Sequence, residues 1–316
     1  PCQAANVPSI GGDDPIERHL QLTARQVVRD GVKLDAPTRR RNAMQIIPLT
    51  GGLGAEILGA DVRRAEDFDA IHTAFAEYGV VVIRAQDVTP DDHLAFARRF
   101  GPINVNRFFR PVDGYPEIAT VLKEKDQKQA IGEGWHTDHS YDQVPAMGSI
   151  LHAIEVPPYG GDTLFVSMAA AYAALSQPMR QFLDGLTAVH SSRHAFGAAT
   201  KDSEAAKSGR FANAEAATQD ARHPIVITHP LSGRRGLFVN PVFTTHVEGL
   251  TPSESTALLT MLWDHCRQPE FQCRVRWQAG DITMWDNRAT WHKAINDYHG
   301  FRRLMHRVTV EGVPLH

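Results

Sequence analysis

From about residue 118 onward, Gly, Pro and Asp interrupt the chain every few residues, and short β-branched and aromatic runs fill the gaps. Ile225-Val226-Ile227-Thr228, Gly236-Leu237-Phe238-Val239 and Arg274-Val275-Arg276-Trp277 are typical. Short runs set between turn formers pair as antiparallel neighbours, so this texture predicts a mainly β fold with helical additions, a sandwich or jelly roll.

The helical additions announce themselves by their ends. Thr89-Pro90-Asp91-Asp92 has a capping hydroxyl, a proline at the first helical position and acids behind it. Thr251-Pro252-Ser253-Glu254 is a capping box before Leu258, Leu259 and Leu262. Residues 66–75 carry apolar side chains at helical spacing, Gly79 closes them, and Val80-Val81-Val82-Ile83 reads as a buried strand. A first strand is expected at residues 45–49. The expected organisation is an N-terminal extension over residues 1–43, with a helix around 15–30, and a single jelly-roll domain over 44–316. An Ala/Lys/Ser/Asp-rich insertion near 197–222 is too long for a plain connection and suits either a disordered insertion or a lid over an active site.

Composition narrows the function classes. A net charge of −3 over 316 residues, with no basic run longer than Arg39-Arg40-Arg41, gives no nucleic-acid footprint. Three cysteines without CxxC spacing argue against a disulfide framework or a cysteine-rich zinc site. The longest aliphatic runs are too short to span a bilayer, and no signal-peptide core is seen, so a cytoplasmic protein without membrane contact is expected.

Chemistry enters at Gly134-Trp135-His136-Thr137-Asp138. On a strand, residues two apart share a face, so His136 and Asp138 could hold one cation. An isolated His-x-Asp pair arises readily in a chain with 16 histidines. A further candidate, His292, lies just after the strand expected at 281–287. One carboxylate and two imidazoles form the facial triad of non-haem iron(II) oxygenases, which leaves open positions for a bidentate co-substrate and O2. His139 and His306 are expected on the opposite face, and His152, His190, His223 and His229 as turn or core residues. Trp135 and Trp285 are expected to pack beside the metal.

Residues 301–310 form another strand by their period-two pattern, with Arg303, Met305, Arg307 and Thr309 on one face. Its two arginines would be about 13 Å apart, a separation suited to two anions in one cavity. A planar guanidinium takes a carboxylate through two parallel hydrogen bonds.

Together, Trp135-His136-Thr137-Asp138, Gly160-Gly161-Asp162-Thr163, Trp285-Asp286-Asn287, His292 and Arg303 resemble the taurine dioxygenase/2,4-D dioxygenase group, the TauD/TfdA family, from about Leu49 to Val310. The resemblance implies a double-stranded β-helix (jelly roll). It implies Fe(II) held by His136, Asp138 and His292, with 2-oxoglutarate and O2 as co-substrates. Arg303 would pair with the distal carboxylate of 2-oxoglutarate, and Thr163 would contact the co-substrate near its metal-bound end. Arg307 would grip the substrate anion. The implied reaction couples decarboxylation of the oxo acid to hydroxylation of a substrate C–H, and the product fragments when the hydroxylated carbon bears a sulfonate, ether or sulfate.

Departures from the taurine enzyme bear on substrate. After Phe100-Gly101, Asn106 and Phe109 replace its His and Tyr, and Gly132 stands near its Asn before the His-x-Asp pair. Arg307 and the aromatic Phe196 are kept. The expected partner is therefore a small organic anion with a more apolar body than taurine: an alkyl sulfonate, alkyl sulfate or aryloxyalkanoate. Taurine itself and desaturation remain alternatives. Asp138 argues against halogenation, which replaces that carboxylate, and the intact triad argues against a non-catalytic binding module. Family members are often homo-oligomers, and nothing in this sequence decides that point.

Overall fold

The computed structural model describes residues 43–197, 207 and 213–316. The expected extension, all but residue 43 of it, and the centre of the expected insertion (198–206 and 208–212) lie outside these residues. The described chain runs β1 (Gln45–Pro48), β2 (Ala55–Leu58), α1 (Phe68–Tyr78), β3 (Val80–Ile83), α2 (Pro90–Arg98), β4 (Ile103–Asn104), β5 (Pro111–Val112) and β6 (Tyr115–Lys123). It continues through β7 (Gly148–Glu155), β8 (Thr163–Ser167), α3 (Met168–Ala174), α4 (Gln177–Leu183), β9 (Thr187–Ser191) and α5 (Arg193–Phe196). Then follow β10 (Asp220–Pro224), β11 (Val226–Thr228), β12 (Arg235–Leu237), β13 (Thr244–Val247) and α6 (Pro252–Cys266). The last strands are β14 (Gln272–Val275), β15 (Ile282–Asp286), β16 (Thr290–Ala294) and β17 (Arg303–Val310).

A nine-stranded sheet has the order β1-β2-β3-β15-β7-β17-β6-β5, with β4 added against β17. A three-stranded sheet, β14-β8-β16, faces it. These are the two walls of a double-stranded β-helix. Strand β3 shows why the walls hold. Val80 and Val82 point inward and pack with Leu151, Trp285 and Met305 of the large sheet and Phe165 and Val275 of the small one. Val81 and Ile83 point outward, under Ile71 and Phe75 of α1 and Leu94 and Phe96 of α2. A strand covered on both faces needs no polar alternation, hence the unbroken aliphatic run. Each such burial contributes roughly 1.5–3 kcal/mol. The outer face of the small sheet is sealed by α3 and α6 around Val166, Leu258, Leu262 and Trp291.

The expected helix ends are present. The Thr89 hydroxyl accepts from Asp92 N at 3.2 Å while the Asp92 carboxylate accepts from Thr89 N at 2.9 Å, and Thr251 and Glu254 repeat the box. Helix α1 stops where Gly79 takes φ 66, a left-handed turn that glycine enters without steric cost. The pair α3 and α4 was not expected within a β-rich stretch. Its signals are there in the sequence: Ser167 and Ser176 cap the two helices, and an alanine-rich run follows the first.

Cys266 and Cys273 are buried free thiols, and burial raises both, Cys273 to about 12. No helix among the described residues is long and apolar enough to cross a membrane.

Candidate metal centre

The segment carrying His136 and Asp138 is not a strand, as expected, but an irregular stretch that touches the sheet at one point. His136 forms a lone antiparallel bridge with His292. His136 N donates to His292 O at 3.1 Å and His292 N donates to His136 O at 2.8 Å. Residues paired across antiparallel strands project to the same side. Their rings accordingly lie 4.1 Å apart, centroid to centroid. Thr137 points away, its hydroxyl donating to Thr290 O at 2.9 Å. His292 itself lies within β16, opposite Phe165 of β8, rather than in the loop after β15 where the sequence suggested it.

Immediately after His136 the chain turns, which returns Asp138 to the two imidazoles. Asp138 Oδ1 is 3.7 Å from His136 Nε2, and Asp138 Oδ2 is 3.8 Å from His292 Nε2. One donor atom from each of the three residues lies within 4.8 Å of the others. Two further groups hold the carboxylate: the Ser149 hydroxyl donates to Oδ2 at 3.0 Å and Arg307 donates to it at 3.2 Å. Burial alone would raise the Asp138 carboxyl, but Arg307, then His292 and His136, outweigh it and hold the group well below the usual carboxylate range. Burial, reinforced by His136, pushes His292 well down, so its ring is a neutral lone-pair donor. His136 Nδ1 sits 2.7 Å from Gly134 O, which fixes the proton there and frees Nε2. Two imidazoles and one carboxylate fit a divalent first-row metal with open positions.

The turn also explains a misplaced residue. His139 takes φ 58, so strand alternation fails there, and it lines the cavity instead of the opposite face. It is outside the donor cluster, its Nδ1 paired with Asp142 Oδ2 at 2.8 Å. His306 lies opposite His152 in the β17–β7 register, half-buried and away from the cavity. His152 and His190 are core residues, while His223 and His229 bond to Asp142 O and to the Ser232 hydroxyl. Trp285 packs 4.7 Å from the His292 ring, whereas Trp135 packs into the cluster under α3 and α6.

A cavity of about 230 Å³ opens beside the triad. Asn106, Phe109, Thr163, Phe196, Arg303 and Arg307, all singled out in the sequence, line it. Both arginines are buried on the inward face of β17, in the alternation expected. They are differently equipped. Arg307 has Asp138 as an ion-pair partner and lies 4.4 Å over the Phe109 ring. Arg303 has no ion-pair partner among the described residues, and the Nε atoms of both arginines are buried without a hydrogen bond. Burial lowers its guanidinium, with Tyr298 and Asp162 opposing. A buried cation without an anion is costly, so the Arg303 pocket suits a carboxylate that arrives with a ligand.

Sequence reasoning missed the rest of the wall. Tyr141 and Phe243 join Phe108, Phe109 and Phe196 in one aromatic cluster, and Phe108 and Phe196 stack at 4.4 Å. The Asn106 carboxamide oxygen accepts from Phe108 N and Phe109 N at 2.9 and 3.0 Å, so it shapes its own loop as well as lining the cavity. Gly132 has φ +83, and a Cβ there would meet His136 Cε1 at 3.3 Å, which leaves little room for an Asn.

A jelly roll bearing this donor set beside a buried arginine with no ion-pair partner among the described residues is the architecture of an iron- and oxo-acid-dependent oxygenase. The family model described as "Taurine catabolism dioxygenase TauD, TfdA family" matches residues 45–309, and the chain belongs to that family. It is 33% identical to the alpha-ketoglutarate-dependent sulfate ester dioxygenase of Pseudomonas putida over 85% of this chain and 90% of that one. It is 36% identical to the alpha-ketoglutarate-dependent 2,4-dichlorophenoxyacetate dioxygenase of Cupriavidus pinatubonensis, over 83% of this chain and 96% of that one. A crystal structure of a taurine dioxygenase from Burkholderia xenovorans superposes with a TM-score of 0.72 at 36% identity, covering 86% of this chain and 90% of that one. The protein is a 2-oxoglutarate-dependent dioxygenase that uses Fe(II), 2-oxoglutarate and O2.

Proposed function

We propose that this enzyme hydroxylates a small organic anion with an apolar body, an alkyl sulfate, alkyl sulfonate or aryloxyalkanoate. In this reading His136, Asp138 and His292 hold the iron, Arg303 and Thr163 hold 2-oxoglutarate, and Arg307 with the aromatic wall holds the substrate. The observation that carries it is the pairing of two buried arginines with one triad in a single cavity. The relatives' activities on sulfate esters and on 2,4-dichlorophenoxyacetate support the substrate class.

When bound, the iron with 2-oxoglutarate and O2 supplies the oxidant that removes hydrogen from a C–H and returns hydroxyl, with succinate and CO2 as co-products. The chain's own residues do the positioning. Ser149 and Arg307 fix Oδ2 of Asp138, the oxygen nearer His292, and so turn Oδ1 towards His136. The Arg303 fork is aimed at a planar anion. Thr163, expected near the metal-bound end of the oxo acid, is assigned instead to the distal end. In the β16–β8 register it stands opposite Ala294, two residues along from the level of His292, or about 7 Å. Phe109, Phe196, Tyr141 and Phe243 exclude water from the substrate's apolar body. Where the hydroxylated carbon carries an ether or sulfate oxygen, the product collapses and releases that group. The free thiols support a reducing, cytoplasmic setting.

The test is a panel of sulfonates, sulfate esters and aryloxy acids, read as substrate-dependent succinate formation. Stimulation by a member of the panel is the expected result. Stimulation by taurine alone would overturn the assignment of an apolar body.

A further inference from the structure

Trp277 follows β14 and lies behind the cavity wall, 6% exposed, without lining the cavity itself. It touches both residues assigned to the co-substrate. Its indole Nε1–H donates to Thr163 Oγ1 at 3.0 Å, and its ring lies 5.4 Å from the Arg303 guanidinium carbon. We propose that Trp277 is a positioning residue that sets both contacts to the distal carboxylate of 2-oxoglutarate. This rests on the reading of Arg303 and Thr163 given above.

A threonine hydroxyl has one hydrogen and two lone pairs and rotates to suit its surroundings. An indole N–H can only donate. Once Trp277 fills one lone pair of Thr163, the hydroxyl hydrogen cannot point back at the indole and is directed elsewhere. Thr163 lines the cavity, so an incoming carboxylate oxygen is a natural acceptor. The same indole offers its π face to Arg303, within the roughly 6 Å over which a ring attracts a guanidinium. That contact steadies a buried cation with no ion-pair partner among the described residues. One side chain thus prepares a neutral donor and a charged donor for the same anion.

The experiment compares two 2-oxo acids binding anaerobically to Mn(II)-loaded protein by calorimetry: 2-oxoglutarate and 2-oxopentanoate, which lacks the distal carboxylate. Trp277→Phe keeps a ring beside Arg303 and removes the N–H. It should weaken 2-oxoglutarate roughly 5-fold, the worth of one neutral hydrogen bond, and leave 2-oxopentanoate unchanged. In turnover, the KM for 2-oxoglutarate should rise and the KM for the organic substrate should not. Trp277→Leu, which removes both contacts, should weaken 2-oxoglutarate further. Equal weakening of both acids, or wild-type binding of 2-oxoglutarate by Trp277→Phe, would overturn the proposal. If the Phe variant does not fold, β-(benzothienyl)alanine incorporated at position 277 keeps the ring volume, replaces N–H by sulfur and carries the same comparison. Arg303→Ala separates the two levels of inference. If that variant still prefers 2-oxoglutarate to 2-oxopentanoate as strongly as the wild type, the assignment of Arg303 fails, whatever Trp277 does.

Discussion

The two ends of the cavity are built from different materials. The end around Arg303 is made of strand: Arg303 on β17, Thr163 at the start of β8, and Trp277 just past β14. The end around Arg307 is closed by loops carrying Asn106, Phe109, Tyr141 and Phe243 and by the short helix α5, which carries Phe196. Paired strands hold a side chain to a fixed position, whereas connecting segments tolerate change and so tune specificity. The arginines reflect the division. Arg303 awaits an anion, while Arg307 already leans on Asp138 and Phe109. In the proposed reading, the strand-built end serves the invariant co-substrate and the loop-built end the substrate that varies across the family.

The largest effect should come from the group common to both ends. His136→Ala should abolish iron binding and reduce turnover to background, as measured by metal content and succinate formation. Full activity would remove the triad assignment altogether. Next, Arg303→Ala should raise the KM for 2-oxoglutarate by about 100-fold, the scale of a lost charge-assisted pair, with little change in that for the organic substrate. If the substrate KM moves instead, the ends have been exchanged. Phe109→Ala should do the converse, lowering kcat/KM for the substrate about 10-fold through loss of the ring beneath Arg307, with 2-oxoglutarate unaffected. On a similar scale, Ser149→Ala frees one oxygen of Asp138. Iron should bind about 10-fold more weakly, as expected for an outer hydrogen bond to a metal ligand, by competition with a chelator.

The contrast also marks what could be read in the sequence. Arg303 and Arg307 were placed on one face by strand period alone, and the capped helices by their end residues, because those signals are local. The bridge between His136 and His292 could not be read in this way. It joins residues from distant parts of the chain, and no periodicity announces a single paired position. Strand alternation then failed at His139, where a left-handed residue reverses the facing. Trp277 was visible only as part of a β-rich run. Its hydrogen bond to Thr163 is set by the β14–β8 register, in which Val275 faces Thr163. Phe243 sits in a turn held by Asn240, whose carboxamide oxygen accepts from Phe243 N at 2.9 Å, and a turn signal says nothing about the cavity it borders.

That the two imidazoles meet only by backbone pairing has a consequence for biogenesis. His136 emerges from the ribosome long before His292, and until β16 docks the nascent chain offers only a two-donor fragment. With these three residues as the ligands, iron capture would wait until the barrel has nearly closed. A truncation before residue 290 would leave a polypeptide unable to sequester the ion, which spares the cell a half-built oxidant.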